Sequence, residues 1–205
     1  IANGQGFWGD SLDAPRDLLK YGNIDYLTLD YLAEVTLSIL QKQKLKNPNL
    51  GYAKDFVNLV VENIDDIKKN NIKIISNAGG VNPDSCKKAI LENLSNSNQS
   101  LKIAIVTGDD IYPRLDSLLK DGHNLDNMYD KRSIDTIEGN IYSANVYINS
   151  FSVSDALSLG ADIVLCGRIS DPGLVVAPCI YEFGWKEDDY DHLASATVAG
   201  HIVEC

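Results

Sequence analysis

Positive charge is scarce in this 205-residue chain: 18 lysines and arginines stand against 29 aspartates and glutamates, for a net charge of −11. Nucleic acids and anionic membranes are drawn to basic patches, so neither is an expected partner; a small molecule is. The chain lacks any run of about eighteen apolar residues and any basic-then-apolar leader, which predicts a soluble, cytoplasmic protein. Its four cysteines, Cys86, Cys166, Cys179 and Cys205, form no C-x-x-C pair and have no histidine at ligand spacing. That pattern supports neither a zinc site nor a disulfide framework, and reduced thiols are the plain reading. No G-x-S-x-G elbow and no P-loop occurs, which argues against the common serine hydrolases and P-loop nucleotide hydrolases. Asn93-Leu94-Ser95 and Asn98-Gln99-Ser100 match the glycosylation acceptor pattern, but without a leader they read as polar loop. An initiator methionine is missing too, and the chain stops abruptly at Glu204-Cys205. One α/β domain over residues 1–205, cut from a longer protein at both ends, is expected.

Short β-branched runs alternate with amphipathic stretches, the βαβα order of a mostly parallel sheet with helices on both faces. The expected fold is Rossmann-like and doubly wound, with a partial (β/α) barrel as the alternative. Strands are read at 24–30, 72–76, 102–107, 145–149 and 162–166. Helices are read at 31–44, with Leu32, Val35, Ile39 and Leu40 inward, and at 52–70, with Phe56, Val57, Val60, Val61, Ile64 and Ile67 inward. Further helices are read at 83–94, 112–120, 153–159, 173–183 and 189–205. The polar, aperiodic segment 121–143 reads as a long surface loop.

Near the start, Gly4-Gln5-Gly6-Phe7-Trp8-Gly9 spells the dinucleotide fingerprint G-x-G-x-x-G. In a dinucleotide site the third glycine lies within the first helical turn, so that the helix N-terminus meets the pyrophosphate. Here Ser11 or Asp13 is the better N-cap, with Pro15 in the first turn, and bulky Phe7-Trp8 fills the place where backbone must approach phosphate. No NAD or flavin is therefore expected. Asp30, placed about where a ribose-binding acid would stand, keeps an NAD(P)-dependent oxidoreductase as a lesser alternative.

A set of short motifs runs through the chain: 3–10 (NGQGFWGD), 30–34 (DYLAE), 51–56 (GYAKDF), 77–80 (NAGG), 108–110 (GDD), Gly167-Arg168 with Asp171, 182–185 (EFGW) and 199–201 (AGH). Together and in this order they resemble the acyclic terpene utilisation protein family over nearly the whole chain, the specificity lying in the ensemble. The resemblance implies a part in the breakdown of acyclic terpenoids such as citronellol and geraniol through acyl-CoA intermediates. It also implies a protein that continues beyond Cys205.

In open parallel sheets ligands bind outside the carboxyl ends of the strands, and these motifs fall on those ends. The first loop offers Asn3, Gln5 and Asp10 for substrate binding, and a later one offers Asn77 with the amides of Gly79 and Gly80. Asp30, Asp109 and Asp110 are the candidate catalytic acids, with Glu34 near Asp30, and Arg168 is the candidate anion site. Each has a plainer reading. Asp30, Asp109, Asp110 and Asp171 suit helix N-caps, Asp171 most of all. Gly79-Gly80 suits a tight turn as well as an anion cradle. Phe7 and Trp8 suit core as well as an apolar pocket. His123 and His192 read as exposed bystanders, whereas His201 shares a helical face with Thr197 and Glu204 and joins the catalytic candidates.

The expected protein is thus an enzyme of acyl-CoA or branched-chain carboxylate catabolism, of lyase, hydratase or hydrolase type. Its carboxylates do acid-base work or hold Mg²⁺, and Arg168 receives an anionic substrate, an acyl-CoA included. A noncatalytic ligand-binding subunit is the competing class, and homo-oligomerisation is left open.

Overall fold

Among the described residues, five four-residue strands, all parallel, form the centre of the molecule in the spatial order β1-β2-β3-β5-β4. They are β1 (Ala2–Gln5), β2 (Tyr26–Leu29), β3 (Lys73–Ser76), β4 (Ile103–Val106) and β5 (Ile163–Cys166). The structure, a computed structural model, describes residues 1–95, 97, 99–137 and 141–204; Cys205 and Asn98 of the second acceptor pattern lie outside them. The α-helices are α1 (Asp13–Tyr21), α2 (Glu34–Lys46), α3 (Lys54–Glu62), α4 (Ile64–Lys69), α5 (Pro83–Asn93), α6 (Leu115–Lys120), α7 (Ser150–Ser158), α8 (Gly173–Phe183) and α9 (Tyr190–Glu204).

Side chains alternate across the pleat, so each strand feeds two cores. Leu27, Leu29, Ile74, Ile163 and Leu165 pack with Leu19, Phe56, Leu59 and Ile90 of α1, α3 and α5 on one face. Tyr26, Ile75, Val164 and Cys166 pack with Val153, Leu157, Leu174 and Ala177 of α7 and α8 on the other. Burial on both faces is what a parallel sheet requires. Helices cover both faces and the sheet is open, with β1 and β4 at its edges, so the doubly wound reading holds and the barrel alternative does not. Among the described residues, no helix is long and apolar enough to cross a membrane.

The path of the chain decides where a ligand fits. It steps from β1 to β2 to β3, jumps to β4 at the edge, then returns to insert β5 beside β3. The helix after β3, α5, lies on the first face, and the helix after β5, α8, lies on the second. Loops leaving neighbouring strands therefore part in opposite directions, which opens a crevice at the carboxyl end of the sheet.

Several local expectations are corrected. Strand β1 was not expected, because ANGQ has no β-branched residue; it forms because β2 templates it and because Gly4 permits close packing. A Cβ at Gly4 would stand 2.9 Å from Cβ of Pro15. Asn3 and Gln5 thus lie in a strand and not in a loop. The single helix over 52–70 breaks at Asn63, whose side chain donates to the carbonyl of Leu59 at 2.7 Å and competes with the helical ladder. In α2 the inward residues are Leu37 and Leu40, while Val35 and Ile39 are exposed; Leu32 is buried but precedes the helix, which starts three residues later than periodicity suggested. Residues 145–149 make only isolated bridges, Asp110 to Asn145 and Ile148 to Ile169, and not a strand.

Candidate functional site

Asp30 follows β2 and is 3% exposed. Its Oδ1 accepts from the Asn77 side-chain nitrogen at 2.7 Å and from the Leu32 amide at 3.0 Å. Its Oδ2 is buried with no partner. Asn77, next to β3, is fixed in turn because its Oδ1 accepts from the Tyr31 amide at 2.7 Å. Burial pushes the Asp30 carboxyl up to about 6 against the pull of the two hydrogen bonds; Asp171 adds to the rise and Arg168 opposes it. The expected capping role is not what Asp30 performs: α2 begins at Glu34 with Ala33 as N-cap, and the carboxylate turns the chain at Leu32 instead.

Arg168 leaves β5 two residues after its last strand residue and is 8% exposed. Its guanidinium donates to Oδ1 of Asp171 at 3.1 Å and to the carbonyl of Ile169, and it lies 4.7 Å from the centre of the Tyr147 ring. The carboxylate of Asp171 is therefore an ion-pair partner. The N-cap of α8 is Pro172, which has no side-chain cap bond, so the favoured capping reading of Asp171 gives way.

Asp109 is buried at the end of β4, where Oδ2 accepts from the Arg168 amide and from the Asn145 side chain, both at 2.9 Å. A Cβ at Gly167 would stand only 1.9 Å from Oδ1 of Asp109, so glycine is required for this approach. Asp109 thus anchors the segment carrying Arg168. Asp110 is exposed and accepts from the Tyr112 amide at 3.0 Å, a local turn bond.

Asp30, Arg168, Asp171, Tyr147, Phe7 and Trp8 are among the residues that line one cleft of ≈ 300 Å³, bounded also by Leu32, Ala33, Glu34 and Glu204. The structure brings Asp30 and Arg168 together and leaves Asp109 and Asp110 out of the lining. Phe7 is exposed at the cleft, and Trp8 packs against the core with its indole nitrogen donating to Asp55 at 3.1 Å. Asp10 accepts from the Gly6 amide at 2.9 Å and holds the glycine loop upon itself. Asn3 accepts from the Thr28 hydroxyl and donates to the carbonyl of Glu204, tying β1 to α9. Gln5 donates to the carbonyl of Phe7 at 3.1 Å, while its Oε1 is buried without a partner.

The turn reading of Gly79-Gly80 is the one the packing supports. Gly80 has φ of +57°, its amide donates to the Asn77 carbonyl, and a Cβ there would meet the Gly51 carbonyl at 2.6 Å. His201 is exposed on α9, and the Thr197 hydroxyl donates to the Leu193 carbonyl. His123 and His192 are also exposed, the latter stacked on Trp185. Helix α1 begins at Asp13, four residues beyond Gly9, so its N-terminus is not formed from the glycine run. Among the described residues no three His, Cys, Asp or Glu side chains gather as a metal-holding group, so the Mg²⁺ expectation finds no ligand set there. Sequence reasoning missed Tyr147 and Asn145, because 145–149 read as a plain strand and the stretch reaches the site through long-range bonds to Asp109 and Arg168 that the sequence does not announce.

The description "Acyclic terpene utilisation family protein AtuA" belongs to a family model that matches residues 1–205. Neither the curated proteins nor the solved structures provide a match. The chain belongs to the acyclic terpene utilisation family, and membership implies involvement in acyclic terpene utilisation.

Proposed function

We propose that the chain is an enzyme of acyclic terpenoid carboxylate or acyl-CoA catabolism in which Asp30 moves a proton and Arg168 holds the anionic group of the substrate. The observation that carries this reading is the free, buried Oδ2 of Asp30 in the same cleft as a mostly buried arginine. A carboxyl pushed up to about 6 is mostly carboxylate at pH 7, with roughly ten ionised groups per protonated one, yet remains basic enough to take a proton. Asn77 and Leu32 orient it through Oδ1 and leave Oδ2 without a protein partner. Phe7, Trp8, Leu32 and Ala33 supply an apolar wall suited to a branched hydrocarbon tail. Proton transfer at a carbon of the acyl chain, a step shared by hydration and lyase chemistry, is the part this carboxylate supplies.

The test is incubation with geranoyl-CoA and citronelloyl-CoA, and with the free acids, in deuterated water, read by mass spectrometry. Deuterium uptake or solvent addition that disappears in Asp30→Asn is the expected result. Binding without any such exchange in the wild type would contradict the reading and leave a ligand-binding subunit.

A further inference from the structure

Two neighbouring residues at the carboxyl end of β1 and β2 each carry a buried acceptor. Oδ2 of Asp30 and Oε1 of Gln5 both lack partners, and the two residues are adjacent, with the Asp30 amide donating to the Gln5 carbonyl at 2.9 Å. A carboxylate oxygen only accepts, and leaving it buried and unpaired is costly. Two nearby donors are engaged elsewhere: Asn77 gives its side-chain N–H to Oδ1, and the Arg168 guanidinium is directed to Ile169, Asp171 and Tyr147; the Tyr31 hydroxyl, also buried without a partner, belongs to a ring packed edge-on against Phe56 in the core of the first face. A ligand bound in the cleft that Asp30 lines is one source of the donor that Oδ2 lacks.

We infer that this ligand is an acyclic hydroxy acid, whose hydroxyl donates to Oδ2 of Asp30 while its carboxylate meets Arg168. The inference rests on the cleft reading above and adds the substrate class. Asp30 stands one residue beyond Leu29, which is in register with Ser76 of β3 and, through it, Leu165 of β5. Asp30 and the loop of Arg168 are thus two strands apart, about 10 Å across the sheet, and the long arginine closes part of that span. What remains suits a hydroxyl and a carboxylate separated by a short spacer, such as a 3-hydroxy acid. The branched remainder lies along Phe7, Trp8, Leu32 and Ala33.

The experiment is calorimetric titration of the whole chain with 3-hydroxy-3,7-dimethyloct-6-enoate and with its parent lacking the hydroxyl, 3,7-dimethyloct-6-enoate. The hydroxy acid is expected to bind about tenfold more tightly, as for one hydrogen bond to a charged group. Asp30→Asn should narrow that preference, and Arg168→Lys should weaken both acids alike. Equal binding of the two acids by the wild type would overturn the hydroxyl inference, since a water then serves Oδ2, and would leave the anion cleft standing. Binding of neither acid would overturn both.

Discussion

The side-chain nitrogen of Asn77 donates to Oδ1 of Asp30 at 2.7 Å across neighbouring strands, and this bond divides the carboxylate into one held oxygen and one free one. It favours the charged form and so restrains the rise that burial produces. Asn77→Ala should therefore push the Asp30 carboxyl still higher and cost about 1–3 kcal/mol, because the buried Tyr31 amide also loses its acceptor. Urea unfolding and a carboxyl titration check both effects; an unchanged titration with a large stability loss would make Asn77 structural only.

Asp30 also predicts a pH dependence of stability. Its folded value, about 6, lies above the ordinary value of 3.8, so the folded protein binds the proton more tightly than the unfolded chain does. The resulting stabilisation is full below pH 4 and is lost as pH rises through 6. Asp30→Asn keeps the Oδ1 acceptor and removes the charge. Its stability relative to wild type should therefore improve between pH 4 and pH 7 by on the order of 2–3 kcal/mol. A difference that is flat with pH would show that Asp30 titrates normally.

Arg168 has both structural and ligand-facing contacts, so Arg168→Lys should move two readouts. Lysine cannot reproduce a planar fork, and affinity for a branched acid should fall by about 1–3 kcal/mol while unfolding free energy falls by about 1 kcal/mol. Side-by-side calorimetry and denaturation separate these. Unchanged affinity with lowered stability would assign the guanidinium to Asp171 and the Ile169 carbonyl alone.

Gly167→Ala drives a methyl into Asp109 and should cost about 2–4 kcal/mol. Asp109→Ala alone orphans the buried Arg168 amide and should cost about 1–3 kcal/mol. In the double variant the clash is gone, so the combined loss should be well below the sum of the two. Strict additivity in a denaturation cycle would show that the two residues do not meet.

Much of this was legible in the sequence. The βαβα order, the apolar runs of β3, β4 and β5, and the place of Asp30 and Arg168 at strand ends follow from periodicity and from the rule for open sheets, although β4 proves to be a half-buried edge strand and not a buried one. Strand β1 was hidden because its pairing to β2, and not its own residues, makes it a strand. The sorting of the acids was hidden as well. Asp30, Asp109 and Asp110 look alike in sequence, yet one is buried in the cleft, one grips a backbone amide and one turns an exposed loop. Only tertiary packing separates them. The pairing of Asp171 with Arg168 won over helix capping because a nearly buried guanidinium needs an anionic partner more than the α8 N-terminus needs a cap.

The most direct test of the account is the titration of Asp30 itself by carbon-13 NMR of its side-chain carboxyl, assigned by the signal lost in Asp30→Asn. The account predicts a midpoint near 6 in the free protein, displaced when 3,7-dimethyloct-6-enoate or its 3-hydroxy derivative is added. A midpoint near 4, the ordinary aspartate value, that neither acid displaces would contradict it.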